Sequence, residues 1–272
     1  MPQEHKFSVP VFALDGKKLR EESLPAVFSG IIEPELIERA VLAINSASKQ
    51  PQGVMPHAGM NTTAEYRASR KLPANVRGMN IERSRLPRTK NHRAKNAGRV
   101  AGVPRSVGGP KAHPPRVEKN IEEKINKKEK RAALNSAVAA SREFSLVSKR
   151  HFFEKEIPLP VVIEDKFEEL TKTKDVVKTL KAIGISSDLE NAKKKTRMRS
   201  GKARRRGRTK KEKKSILIVT GKNAAIYKAA RNLEGVDISP FDKLSAALLA
   251  PGGMPGRLTV FTESALAGMK KW

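Results

Sequence analysis

Three groupings of residues have the types that could do chemistry. The run ILIVTGKNAA, Ile216 to Ala225, reads as a buried strand, a Gly221-Lys222 turn and the start of a helix. That is the geometry that holds a phosphate on helix amides. A nucleotide-binding loop needs a further glycine upstream of the Gly-Lys pair and a hydroxyl residue after it. Here an apolar run and Asn223 stand in those places. His151 and Glu154 have a metal-like spacing of three, but no second such pair exists, and they read as a helix end entering a loop. The acids come in pairs, Glu122-Glu123 and Glu168-Glu169, on charged helix faces. General acid–base work needs carboxylates in apolar settings, so these read as solvated. The glycines from Gly98 to Gly109 follow no GxGxxG pattern, there is no GxSxG turn, and there is no cysteine. No constellation here reads as an active site. Neither a metal nor a cofactor is expected.

What remains is charge. Lys and Arg number 56 against 28 acids, a formal charge of +28 in 272 residues. An excess of this size repels itself and attracts polyanions. Nucleic acid is the expected partner. An anionic membrane fits less well, because the basic stretches lack the interleaved Trp, Phe and Leu of an interfacial helix. The cations concentrate in two internal stretches. In the first, the candidate RNA-binding residues are Arg67, Arg70, Lys71, Arg77, Arg83, Arg85, Arg88, Lys90, His92, Arg93, Lys95, Arg99, Arg105, Lys111, His113 and Arg116. In the second they are Lys193, Lys194, Lys195, Arg197, Arg199, Lys202, Arg204, Arg205, Arg206 and Arg208. Basic runs are often tails or localisation signals, but tails sit at chain ends and these two lie inside. Aromatic residues are only 4% of the chain, too few for a platform that stacks single-stranded bases. Recognition of structured RNA by shape and backbone is the better reading, with DNA as the runner-up.

The elements around these stretches alternate. Phe7–Leu14 and Lys18–Leu24 read as strands of a hairpin turned at Asp15-Gly16, a favoured hairpin pair. Pro34 suits the first turn of a helix, and Leu36, Ile37, Ala40, Val41 and Ile44 fall on one helical face. From Ser46 to Val117 apolar periodicity disappears. Gly, Pro, Asn, Arg and Lys dominate, and Glu65 and Glu82 are the only acids. Such a segment cannot bury enough apolar surface to fold alone, and a long aperiodic insert inside a domain is usually functional or disordered. A helix is predicted from Glu118 through Phe144. Strands at 160–163, 216–219, 236–238 and 258–261 then alternate with helices at 176–183, 225–233, 241–248 and 264–272. Strands spaced by helices predict an α/β fold, a mostly parallel sheet with helices on both faces. It carries a long extended internal loop and a second basic insertion. The expected domains are 1–45 plus 118–272 for the sheet, 46–117 for an extended basic loop that threads RNA, and 190–214 for the insertion. No apolar run approaches a membrane span, the first residues lack a signal peptide's apolar region, and the absence of cysteine fits an intracellular protein.

Several segments resemble one family. They are VFALDGKKL, Arg77-Gly-Met-Asn80, Leu86-Pro-Arg-Thr89, Val107-Gly-Gly-Pro-Lys-Ala-His-Pro-Pro115, KKKTRMRSGKARRRGR and LLAPGGMPGRLTVFTESAL. In this order, end to end, they resemble the universal large-subunit ribosomal protein L-four family in its archaeal and eukaryotic form. The chain ends soon after its last strand and so resembles the archaeal members. The resemblance implies a cytoplasmic, structural constituent of the large ribosomal subunit and no enzyme. It implies binding to large-subunit ribosomal RNA, support of assembly and neighbouring large-subunit proteins as partners. It also implies a loop tip, between Lys71 and Lys90, that helps line the peptide exit tunnel beside the nascent peptide and opposite the protein L-twenty-two. No membrane or small-molecule substrate is implied. The alternatives are a free-standing enzyme of nucleotide-binding type with an RNA-binding insertion, and a dissociable RNA-binding regulator.

Overall fold

The computed structural model describes residues 7–74, 77–78, 82–90, 98–222 and 224–270. In chain order the elements are β1 (Ser8–Phe12), β2 (Lys18–Ser23), α1 (Pro34–Ala47), β3 (Ala64–Glu65), β4 (Arg88–Thr89), α2 (Lys127–Ala140) and α3 (Phe144–Ser148). Then follow β5 (Val161–Ile163), α4 (Thr173–Ile183), α5 (Ser186–Lys195), β6 (Arg197–Met198), α6 (Gly201–Arg205) and β7 (Lys210–Lys211). The last are β8 (Leu217–Thr220), α7 (Ile226–Ala230), β9 (Asp237–Pro240), α8 (Ala246–Leu249), β10 (Thr259–Thr262) and α9 (Glu263–Met269). Two compact units result, one of Met1–Ser48 with Glu122–Trp272 and the other of Lys49–Ile121.

The larger unit is built on a six-stranded sheet in the order β2-β1-β5-β10-β8-β9. Only the β1–β2 pair is antiparallel; the rest are parallel. Successive strand side chains point to opposite faces, and the apolar runs obey this. Val162, Leu217, Val219 and Phe261 face one core with α1, α2, α8 and α9. Val161, Ile163, Ile218 and Val260 face the other with α3, α4 and α7. Strands buried on both faces must be apolar throughout, which is why VVI, LIVT and TVFT lack polar alternation. Phe28 meets Phe261 edge to face, with centroids 5.4 Å apart and planes at 82°. The predicted α/β class and mostly parallel sheet are therefore present.

Several sequence-based boundaries move. The helix predicted from Glu118 begins at Lys127. Between them Ile121 and Ile125 are the only apolar residues. Ile125 packs on the first core, while the Glu123 amide donates to Ser46 Oγ at 2.9 Å instead of to a helical carbonyl. The same helix stops at Ala140, where buried Ser141 turns its hydroxyl onto Val138 O at 2.7 Å, and Phe144 starts α3. In α4, Val176, Leu180 and Ile183 are buried, but Val177 lies on the solvent side. Gly184 ends that helix at φ +94°, a conformation that favours glycine. The helix predicted over 225–233 is one turn longer than the observed α7. That over 241–248 splits into a 3₁₀ turn, Phe241–Lys243, and α8.

Candidate nucleic-acid interface

The unit Lys49–Ile121 carries sixteen Lys and Arg against three acids. It has more structure than its composition predicts. Ala64–Glu65 pairs antiparallel with Arg88–Thr89, and Arg88 bridges to Val100. The outgoing and returning chains touch beyond this ladder. A Cβ on Gly59, at φ +81°, would collide with the Pro110 backbone. A Cβ on Gly53 would meet the Val117 side chain. The segment is a folded-back hairpin within itself.

Its cations divide by use. Arg88 is a staple: its guanidinium donates to Gly98 O at 2.9 Å and to Ser84 O and Oγ at 3.1 and 3.0 Å. Arg77 donates twice to Leu72 O, at 3.1 and 3.0 Å. Lys90 and, at 3.7 Å, Arg67 pair with Glu65, and Lys90 above all holds that carboxyl below its ordinary pKa. Arg70, Lys71, Arg83, Arg85, Arg99, Arg105, Lys111, His113 and Arg116 are exposed, and among the described residues none of them pairs with a carboxylate. His92, Arg93 and Lys95 lie outside the described residues. The sequence treats all these cations alike; it does not separate those that fasten the hairpin from those turned outward.

The second stretch forms a short stem with a helical head. Arg197–Met198 pairs antiparallel with Lys210–Lys211, extended by Arg199 N donating to Thr209 O at 2.7 Å. The head is α6, which opens on Gly201 at φ +65° and is followed by Gly207 at φ +80°. Lys193, Lys194 and Lys195 occupy the last turn of α5, where cations suit the negative helix end. Arg197, Lys202, Arg204, Arg205, Arg206 and Arg208 are exposed and Arg199 is half-buried. Among the described residues no carboxylate pairs with any cation from Lys193 to Lys211. The stretch therefore displays its charge outward.

Its root is held by acids that sequence reasoning missed. Lys213 donates to Asp188 at 2.9 Å and Lys214 to Asp237 at 2.8 Å. Asp188 is fully buried. It also accepts from His151 Nδ1 at 2.8 Å, from Phe152 N at 3.1 Å and from the Ser215 hydroxyl. Burial alone would raise its pKa, but the bonds from His151, Ser215 and Lys213 outweigh burial and hold the carboxyl far below the carboxylate range. Asp237 pairs at 2.7 Å with Arg257, whose buried guanidinium donates to Ser215 O at 2.7 Å and Leu248 O at 2.9 Å. A buried charge without a partner is strongly destabilising; here each one is matched. The one legible signal was Lys213-Lys214 standing directly before a buried strand.

The phosphate-cradle reading of Gly221-Lys222 meets a different occupant. The Gly221 amide donates to Glu168 Oε1 at 2.8 Å, and the same oxygen accepts from Thr262 and Ser264 hydroxyls at 2.6 and 2.7 Å. The protein's own carboxylate occupies that amide, and α7 behind it has only five residues. Glu168 is thus a satisfied structural acid, not a solvated one. His151 is bound to Asp188, and Glu154 is no part of that cluster. Among the described residues no group of three His, Asp or Glu is arranged to hold a metal, and no helix is long and apolar enough to cross a membrane.

The model of the Ribosomal protein L4/L1 family matches residues 22–272. The large ribosomal subunit protein uL4 of Methanoculleus marisnigri is 46% identical over 263 residues, covering 96% of this chain and 98% of that protein. The protein of the same name from Methanocaldococcus jannaschii is 44% identical over 262 residues, covering 96% and 97%. That from Methanococcoides burtonii is 43% identical over 261 residues, covering 96% of each. Because these matches span both basic excursions as well as the sheet that carries them, the chain belongs to the ribosomal protein L4/L1 family, of archaeal type.

Proposed function

We propose that this chain is a structural constituent of the large ribosomal subunit, binding its ribosomal RNA through two basic excursions and supporting the folding of that RNA during assembly. It is not an enzyme, and it works in the cytoplasm within the ribosome, among other ribosomal proteins. The observation that carries the RNA-binding reading is the outward, acid-free display of cations from Lys193 to Lys211, on a stem rooted in one ion pair to buried Asp188 and a second, more exposed one to Asp237. Crowded phosphates repel one another, and fixed Arg and Lys neutralise them while releasing counterions. The guanidinium fork suits phosphate oxygens. The exposed cations of the hairpin, Arg70, Lys71, Arg83, Arg85, Arg99, Arg105, Lys111 and Arg116, serve the same end. Arg77 and Arg88 serve it indirectly, by fixing the path of the chain. The stretch between Lys71 and Lys90 reaches the exit tunnel and meets the nascent peptide; the family resemblance supports this finer reading.

The test is a salt titration of the full chain on a transcribed large-subunit RNA domain. Changing Arg204, Arg205 and Arg206 together to Ala should weaken binding and flatten the plot of log affinity against log salt by roughly one unit or less per lost contact. Preference among RNAs of one shape should not change. A fall in affinity with the slope unchanged would contradict phosphate neutralisation by these residues.

A further inference from the structure

The hairpin unit holds a hollow of about 870 Å³, within the range of roughly 300–1,000 Å³ typical of small-molecule sites. Its walls include Leu86, Val100, Val103 and Val107, with Arg99 and Arg105 beside them and no acid. The loop that shapes it is pinned. Val103 O accepts from both the Ser106 amide and the Ser106 hydroxyl, at 3.1 and 2.8 Å. The Gly109 amide donates to Ser106 O at 3.0 Å. Pro104 stiffens the turn. Val107 is 102% exposed and Leu86 41%, so apolar side chains stand open in a segment otherwise designed for water and phosphate.

We infer that this hollow receives one unstacked nucleobase of the RNA, with the flanking phosphates on Arg99 and Arg105. The inference rests on the RNA-binding reading above. RNA offers little apolar surface except the faces of its bases, and within a helix those faces are covered by their neighbours. Single-stranded loops and bulges expose them. A pinned apolar hollow rimmed by two cations therefore matches an everted nucleotide better than a regular duplex, whose outer surface is phosphate and sugar. A preformed site also avoids the ordering cost that a flexible loop would bring to binding. The hollow would make the arm sensitive to local unpairing, beyond the shape and charge of the backbone.

The test uses the full chain and three short RNAs of equal length: a duplex with one bulged nucleotide, the same duplex with an abasic bulge, and the fully paired duplex. The chain should bind the base-containing bulge about fivefold to tenfold more tightly than the other two, the order expected for one base contact. The double variant Val103→Ser/Val107→Ser should lose that preference while keeping its affinity and salt slope on paired RNA. Val107→Ser alone, at a side chain that packs on nothing, should lower the preference without disturbing the fold. Equal binding of the base-containing and abasic bulges overturns the inference, and so does a preference that survives the double variant. An apolar side chain of another protein seated in the hollow of the assembled subunit overturns it too. Salt-dependent binding to all three RNAs without preference defeats this inference alone; absence of salt-dependent binding to any of them defeats the RNA-binding reading as well.

Discussion

Asp188 joins four donors from two parts of the chain, 151–152 and 213–215, and through Lys213 it fixes the root of the basic stem. The cluster has a pH signature whose sign follows from two depressed pKa values. Burial chiefly lowers the pKa of His151, opposed by Asp188 and aided by Lys213 and Arg150. Asp188 is lowered as well. In both cases the unfolded chain binds the proton more readily, so acid favours unfolding. The stability tied to His151 is complete above its unfolded pKa of about 6.5 and falls as pH drops below it; that tied to Asp188 falls below about 3.9. The full chain should melt at a lower temperature at pH 5 than at pH 7. His151→Gln, which keeps an amide donor for Asp188, should show a smaller acid-induced drop. An equal drop in both proteins would show that His151 does not set this sensitivity. Neither residue's role was legible in the sequence, because partners 37 residues apart meet only once the sheet has formed. The same limit hides Glu168, whose partners Gly221 and Thr262 reach it only where the strand ends converge.

At the scale of elements, the strands were the most legible part. Runs such as VVI and ILIV are buried on both faces, and only a covered parallel sheet accepts them. Helix ends were less legible, since charged residues such as those at 118–126 suit a solvated helix and an irregular segment equally well; Ser46 and the core beneath Ile125 decide the matter. The hairpin is not legible in the sequence, because two-residue ladders leave no period to detect. Phe261 joins β10 to Phe28 across one core. Phe261→Ala should therefore cost about 3–5 kcal/mol of unfolding free energy, measured by denaturant titration. A loss below 1 kcal/mol would show that this core face is not tightly packed. For the basic elements the expectation is kinetic. Brief trypsin treatment of the free chain should cut first within residues 61–99, where exposed cations lie outside the large core, leaving the flanking segments associated. Early cutting spread evenly along the chain would contradict that.

At the scale of the molecule, one chain combines a sheet unit whose buried charges are paired with excursions whose charge finds few partners within it. That division predicts separable effects. Deleting Ala74 to Arg85 removes three of the hairpin unit's sixteen cations, along with Ser84, one partner of Arg88. Most counterion release should survive. Subunits carrying the deletion should assemble with normal composition and change only in sensitivity to tunnel-binding drugs or stalling peptides. Failure of the deleted chain to incorporate would contradict the division into an anchoring stem and a tunnel-facing tip. The central claim, a fixed place in the large subunit held by phosphate contacts and buried fit together, has a direct test. A lysate is fractionated on a sucrose gradient after a high-salt wash, and each fraction is probed for this chain. It should be found with the large subunit in a constant ratio before and after the wash. Recovery at the top of the gradient, or with the small subunit, would contradict the account.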